Sequence, residues 1–284
     1  LRKVYGCGSK ARAAVQDLSF AAELGDCFTL LGPNGAGKTT TMLMLTGEVA
    51  PSGGDAVLGG RSVYRRLLEI FPGLGMCAQA DTVWDQMTGR EHLWLACSLR
   101  GMQGPGREAA VRGLLEGLGI GEWADKKTIT YSGGTRRKLC VGMALAGGPR
   151  VVLLDEPSTG LDPVSKRRLW ALLRAERAGR SMVLTTHAMV EAEVLSTRIG
   201  IMGNGLLRCI GTPQRLKSRF GRGLYLQVHA PPEARERLLA LLREVVGEGT
   251  TVSETDGGQN GNMTQCFALQ LTDPPEDGRP AHRP

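Results

Sequence analysis

Two rhythms of apolar and polar positions alternate along this chain. Between residues 13 and 60, strand-like runs from Asp26 to Leu31 and Asp55 to Leu58 flank a helix-like run from Lys38 to Thr46, the alternation that builds an α/β sheet. Another strand is expected around Leu74 to Cys77. From Gly89 to Gly101, and again from Arg107 to Leu118, apolar residues recur at helical spacing, as in Leu93, Leu95, Ala96 and Leu99. A third helix is expected after Ser132, so that residues 80–149 read as a helical insert. Strands return at Val151 to Leu154, Met182 to Thr185 and Ile199 to Met202, near-continuous apolar runs of the kind buried on both faces of a mainly parallel sheet. The sheet should therefore draw strands from both sides of the insert.

A weaker pattern follows Gly221. It predicts a strand at Leu224 to Val228, a helix from Pro232 to Val246 with Leu238, Leu241, Leu242 and Val245 on one face, and a strand at Cys266 to Leu271. That is a small β-α-β appendage. Its loop from Gly247 to Asn262 and the tail from Asp273, which carries four prolines, are expected to be mobile. Residues 1–220 and 221–284 thus read as a large domain and an appendage.

Chemistry enters at the ends of the strand-like runs. Gly32-Pro33-Asn34-Gly35-Ala36-Gly37-Lys38-Thr39 fits a phosphate-binding loop and stands between a strand and a helix. Glycines let successive N–H groups converge on phosphate oxygens, Lys38 adds a point charge, and the hydroxyl of Thr39 suits Mg²⁺. Val151 to Leu154 ends in Asp155 and Glu156, and a buried strand has no structural use for adjacent acids at its tip. Asp155 would serve the Mg²⁺ shell, and Glu156 would orient and deprotonate an attacking water. Ser132-Gly133-Gly134 opens a helix and offers a second phosphate cradle. One chain holds one γ-phosphate, so a second cradle makes sense if it reaches the nucleotide of a head-to-tail partner. Alone, Ser-Gly-Gly is usually a capped turn, His187 after a strand is usually structural, and Gln79 and Tyr5 say nothing.

Composition adds mostly exclusions. The chain of 284 residues is 42% hydrophobic and 5% aromatic, with a formal net charge of +7. Its basic residues lack aromatic interleaving, which speaks against direct nucleic-acid binding. No stretch approaches the roughly 18 to 20 uninterrupted apolar residues of a membrane span, so any membrane part is expected outside the chain. It begins at Leu1 without an initiator Met or a leader, which reads as a piece of a longer polypeptide. Its seven cysteines are scattered, with no Cys-x-x-Cys pair, and are expected to be reduced core residues in cytosol.

These elements, in this order, resemble the nucleotide-binding domain of ABC transporters from about Leu1 to Gly221. The resemblance implies a P-loop NTPase with a RecA-like core, an antiparallel β subdomain and a helical insert bearing the signature motif. It implies ATP and Mg²⁺ as cofactors. Tyr5 looks like the aromatic that stacks on adenine, Gly32 to Thr40 like Walker A, and Gln79 like the glutamine that senses Mg²⁺ and the transmembrane domain. Tyr131 to Thr135 looks like the signature loop, Val151 to Glu156 like Walker B with its catalytic Glu, Ser158 to Asp162 like the D-loop, and His187 like the switch histidine. Thr39, Gln79 and Asp155 would then face the metal. Lys38, Gln79, Glu156 and His187 would carry the chemistry.

The runs from Tyr131 to Leu139, Met143 to Pro149 and Arg208 to Gly221 are similar to the A subfamily, the large eukaryotic lipid transporters, especially its second nucleotide-binding domain. The appendage then looks like the start of its cytoplasmic regulatory domain. Ala78 stands where proline is usual, and Thr135 where a polar amide often closes the signature. The implied partners are a second nucleotide-binding domain and transmembrane domains, at the cytoplasmic face of a membrane. The ATPase subunit of a prokaryotic-type exporter, or a non-transport ABC ATPase, would share most of these motifs.

Overall fold

The structure, a computed structural model, describes residues 1–8, 11–220, 224–230, 237, 240, 251–255 and 265–271. It contains two compact units, Leu1–Leu216 and Lys217–Pro284.

The first unit opens on an antiparallel ribbon of β1 (Lys3–Tyr5) and β2 (Arg12–Val15). Strand β3 (Cys27–Leu31), buried at every residue, leads through the glycine loop into α1 (Lys38–Leu45). A short hairpin of β4 (Val57–Leu58) and β5 (Arg61–Ser62) comes next. The strand expected from Asp55 starts later because the Asp55 carboxylate accepts from the Ala56 N–H at 2.8 Å, a local bond that competes with a ladder. After α2 (Leu67–Ile70) and β6 (Leu74–Cys77) comes the insert, with α3 (Gly89–Leu99), α4 (Gly104–Leu118) and α5 (Gly133–Leu145). Thr88 and Glu91 form a reciprocal capping box at the start of α3, and α4 stops at Gly119 in a left-handed conformation. The chain then runs through β7 (Val151–Asp155), α6 (Pro163–Glu176), β8 (Ser181–Thr186), α7 (Met189–Leu195), β9 (Arg198–Gly203), β10 (Leu206–Gly211) and α8 (Pro213–Phe220).

One six-stranded sheet, in the order β10-β9-β3-β8-β7-β6, organises this unit. Neighbours from β9 to β6 run parallel, and β10 pairs antiparallel to β9. Both sheet faces are covered, which is why the strands read as apolar runs. On β7, Val152 and Leu154 pack in one core cluster with Leu93, Leu115, Leu118 and Leu139 of the insert, whereas Leu153 packs on the opposite face with Met42, Leu45 and Val183. Each fully buried Leu of this kind contributes about 1.5–3 kcal/mol. The insert is thus anchored to the strand that ends in the two acids.

In the second unit β11 (Leu224–Ala230), β13 (Gln265–Leu271) and β12 (Thr251–Thr255) form an antiparallel sheet in that order. Strand β12 corrects the expected loop of 247–262: Thr251, Val252 and Thr255 are β-branched and pair with β13. Of the helix expected over 232–246 only Arg237 and Ala240 are described, both helical, and the tail from Asp273 lies outside the described residues. Among the described residues no helix is long and apolar enough to cross a membrane.

The cysteines divide. Cys27, Cys77, Cys97 and Cys140 are buried, but Cys7 is exposed and Cys209 half-buried, because one lies in the turn between β1 and β2 and the other on edge strand β10. Burial pushes the Cys27 and Cys77 thiols up to about 12.

Candidate nucleotide site

Strands β3, β7 and β8 end side by side, and the candidate residues sit where the chain leaves them. The Gly32 N–H donates to the Thr186 carbonyl at 3.3 Å, tying the glycine loop to the end of β8. Gly37 has φ 102°, and a Cβ there would lie 2.5 Å from the Ala14 carbonyl oxygen. A Cβ at Gly32 would collide with the Met202 carbonyl. The loop backbone therefore lies closer to its neighbours than any side chain permits. Lys38 opens α1 and is 5% exposed; its Nζ donates to the Gly32 carbonyl at 2.8 Å and the Pro33 carbonyl at 3.1 Å. The lysine curls back over its own loop.

Glu156 faces it. One carboxylate oxygen, Oε1, lies 3.7 Å from Lys38 Nζ, and the other, Oε2, lies 3.2 Å from His187 Nδ1. Thr159 Oγ1 donates to Oε2 at 3.2 Å. Glu156 has φ 49°, uncommon for a residue with a Cβ. Its N–H is held by Thr185, at 3.1 Å from both the carbonyl and Oγ1. The same hydroxyl donates to the Asp155 carboxylate, which is 1% exposed. Register explains the arrangement, since Asp155 pairs with Thr185 across β7 and β8.

A cleft of ≈ 580 Å³ opens over these groups, lined by Tyr5, Asn34, Lys38, Thr39, Thr40, Gln79 and Glu156 among others. Tyr5 is 42% exposed at the end of β1, with Lys3 Nζ 5.0 Å from its ring centre. A larger cleft of ≈ 630 Å³, bordered by Leu18, Phe20, Ala22, Val57 and Val183, lies elsewhere. Its lining is mainly apolar and carries Asp55 and Arg150 but no glycine loop or lysine, so the chemistry favours the smaller cleft.

Ser132, Gly133, Gly134 and Asp162 do not line the cleft that holds Lys38. Ser132 and Gly133 are exposed at the tip of α5, where Ser132 Oγ accepts from the Thr135 N–H at 3.1 Å. Asp162 caps α6, accepting from the N–H groups of Val164 and Ser165 at 2.9 and 3.0 Å. Bonds from Ser165, first its side chain and then its backbone, hold the Asp162 carboxyl below the usual carboxylate range.

Two residues of this site escaped sequence reasoning. Thr185 was seen only as the end of an apolar run, although a hydroxyl at a strand tip beside an acid-tipped strand is a usable signal. Arg137, 4% exposed, sends hydrogen bonds to both acid-bearing and glutamine-bearing loops. No local pattern marks it.

The residues fit a magnesium-bound nucleoside triphosphate. Gly32 and Gly37 leave no room for a Cβ, the lysine is buried against the loop they form, and Thr39, Gln79 and Asp155 are oxygen donors of the hard kind Mg²⁺ takes. A glycine loop between strand and helix, with its lysine facing a carboxylate at a nearby strand tip, defines a P-loop nucleotide-binding protein. The ABC transporter family model matches residues 15–159, half of the chain, and the chain belongs to that family.

Its relatives lie in the A subfamily. It is 45% identical to ATP-binding cassette sub-family A member 7 of Mus musculus over 261 residues, covering 91% of this chain and 12% of that protein. It is 47% identical to the phospholipid-transporting ATPase ABCA3 of Rattus norvegicus, covering 80% of this chain and 13% of that one. The chain thus spans about an eighth of these mammalian relatives. Among solved structures it resembles an ATP-binding subunit of an ABC transporter, with TM-score 0.70 and 25% identity over 78% of this chain and 92% of the other. It also resembles a dimeric ATP-binding cassette bound to ADP and Pi, with TM-score 0.68 and 22% identity over 74% of this chain and 95% of the other.

Proposed function

We propose that this chain hydrolyses ATP as one of two cassettes that pair head to tail and drive lipid transport at the cytoplasmic face of a membrane. The observation that carries the reading is Glu156, its carboxylate lodged between Lys38 and His187 in the cleft formed with the glycine loop. When bound, Mg-ATP supplies the transferable phosphoryl group and the cation that screens its charge. Lys38 and the loop N–H groups bind that charge. Glu156 takes a proton from water at a carboxylate oxygen, with His187 and Gln79 orienting the reactants. Tyr5 offers the base a stacking surface.

The Ser132-Gly133-Gly134 tip supports pairing, because Ser132 and Gly133 are exposed and none of the three lines the chain's own cleft. Asp162 follows Leu161, whose side chain would lie 3.3 Å from a Cβ at Gly134, and it belongs to that partner-facing set. Residues 1–220 act as the cassette and 221–284 as part of a regulatory appendage. The run from Arg208 to Gly221 supports placement as the second cassette of a longer A-subfamily polypeptide, whose first cassette is the partner. The isolated chain then pairs poorly.

Comparing wild type with Glu156→Gln in Mg-ATP tests this. Phosphate release should fall ~100-fold or more, the usual worth of a general base, while the paired state lasts longer. Unchanged turnover would remove Glu156 from its role.

A further inference from the structure

The best-connected buried cation among the described residues has no part in the mechanism above. Arg137 lies inside α5, five residues past the Ser132 cap and about 7.5 Å along the axis from it. Its Nη1 donates to the Ala78 carbonyl at 2.6 Å, the Gln79 carbonyl at 3.1 Å and Asp81 Oδ1 at 3.4 Å. Nη2 donates to the Asp155 carbonyl and, at 3.0 Å, to the Glu156 carbonyl; Nε donates to the Pro157 carbonyl at 3.3 Å. A single planar fork thus grips the loop carrying Gln79 and the loop carrying Glu156.

We propose that Arg137 is the positioning residue that ties the partner-facing tip of α5 to Gln79 and Glu156, so that docking of that tip on a second cassette sets both side chains for hydrolysis. The inference rests on the functional reading above. A helix moves as a rigid rod over so short a span, and a shift of its tip carries the guanidinium with it. Glu156 is sensitive to such a shift because its left-handed backbone is held from both sides, by Thr185 at its N–H and Arg137 at its carbonyl. Lysine has one nitrogen and cannot span six acceptors on two loops. Arg137→Lys therefore keeps the charge and loses the bridge.

Arg100 provides a structural control. It is a second clamp, half-buried rather than buried, donating to the Leu74, Met143 and Ala146 carbonyls at 3.0, 3.0 and 2.7 Å, none of which belongs to the Gln79 loop or the Glu156 loop.

The test uses the full polypeptide that carries this chain, with Mg-ATP. Arg137→Lys should lower kcat by about 10- to 100-fold, the cost of a small misplacement, with Kd for a fluorescent ATP analogue within about threefold of wild type. Amide exchange at 78–81 and 155–157 should rise. Arg100→Lys should lower Tm while leaving kcat within about twofold. The proposal is overturned if Arg137→Lys keeps kcat, if kcat and nucleotide affinity fall together, or if the two variants behave alike. A wild-type measurement covers a variant that fails to fold: on pairing, exchange at 78–81 and 155–157 should slow together with 132–137, and slowing on nucleotide binding alone would overturn the proposal. Wild type that releases no phosphate from Mg-ATP would instead refute the function on which this rests.

Discussion

The chain begins two of its helices on glycine-rich turns, and the two turns are built in opposite ways. At α1 the cap residue is Gly37, which has no side chain to satisfy the first N–H groups, and Lys38 beside it is buried against Glu156. At α5 Ser132 caps the helix itself, the turn is exposed, and nothing lies within 4 Å of a Cβ at Gly133. Neither helix has an acid in its first turn, so both leave the positive end of the dipole uncompensated by carboxylate. The contrast teaches that the first turn is furnished to hold an anion with this chain's own groups. The second presents only a cap and room, as a surface completed by another molecule would.

Three experiments put that contrast to the test. The greatest change is expected for Lys38→Ala, which removes the charge at the enclosed turn and the ammonium that faces the Glu156 carboxylate. Kd for Mg-ATP should rise ~10- to 100-fold, the worth of a charge-assisted hydrogen bond, and nucleotide titration by fluorescence reads it. Affinity unchanged would mean that the enclosed turn holds no triphosphate.

Gly133→Asp comes next. The open space at Gly133 accepts the side chain, and an acid at a helix start favours the fold, so Tm should hold and single-chain affinity should stay within about twofold. Phosphate release in the paired protein should fall ~10-fold or more, because the new carboxylate would oppose a partner's phosphate. Full turnover would make α5 an ordinary capped helix.

A smaller change is expected at α6, which unlike α1 and α5 is capped by a carboxylate, that of Asp162. Because the Asp162 carboxyl is held below its usual range in the folded chain, its contribution is complete above the unfolded value of about 3.9 and is lost as pH falls through the folded value. Tm should therefore drop on acidification below about pH 4 slightly more in wild type than in Asp162→Asn. Equal acid profiles would mean that the cap is not ionised.

Much of the first unit was legible before any coordinates. The runs at Asp26 to Leu31, Val151 to Leu154 and Met182 to Thr185 mark strands because both sheet faces are covered. Helix α6 was passed over because Lys166, Arg167 and Arg168 crowd its first turns and only Leu169 and Leu173 are buried. Strand β12 carries no local signal, since its Thr-Val-Ser-Glu-Thr sequence owes its conformation to the partner strand β13. The hairpin at β4 was overextended by counting Asp55, whose side chain bonds the adjacent backbone instead.

Features that depend on a few consecutive residues are written in the chain itself: the glycine loop, whose φ values and close approaches require missing side chains, the acids at a strand tip, and the periodicities of strand and helix. Only the tertiary structure decided which of those pieces meet. Thr185 reaches Asp155 through strand pairing across 30 positions, and Arg137 reaches Ala78 across 59. Partners so distant are chosen by the packing of strands and helices, which brings together residues whose local surroundings give no sign of each other.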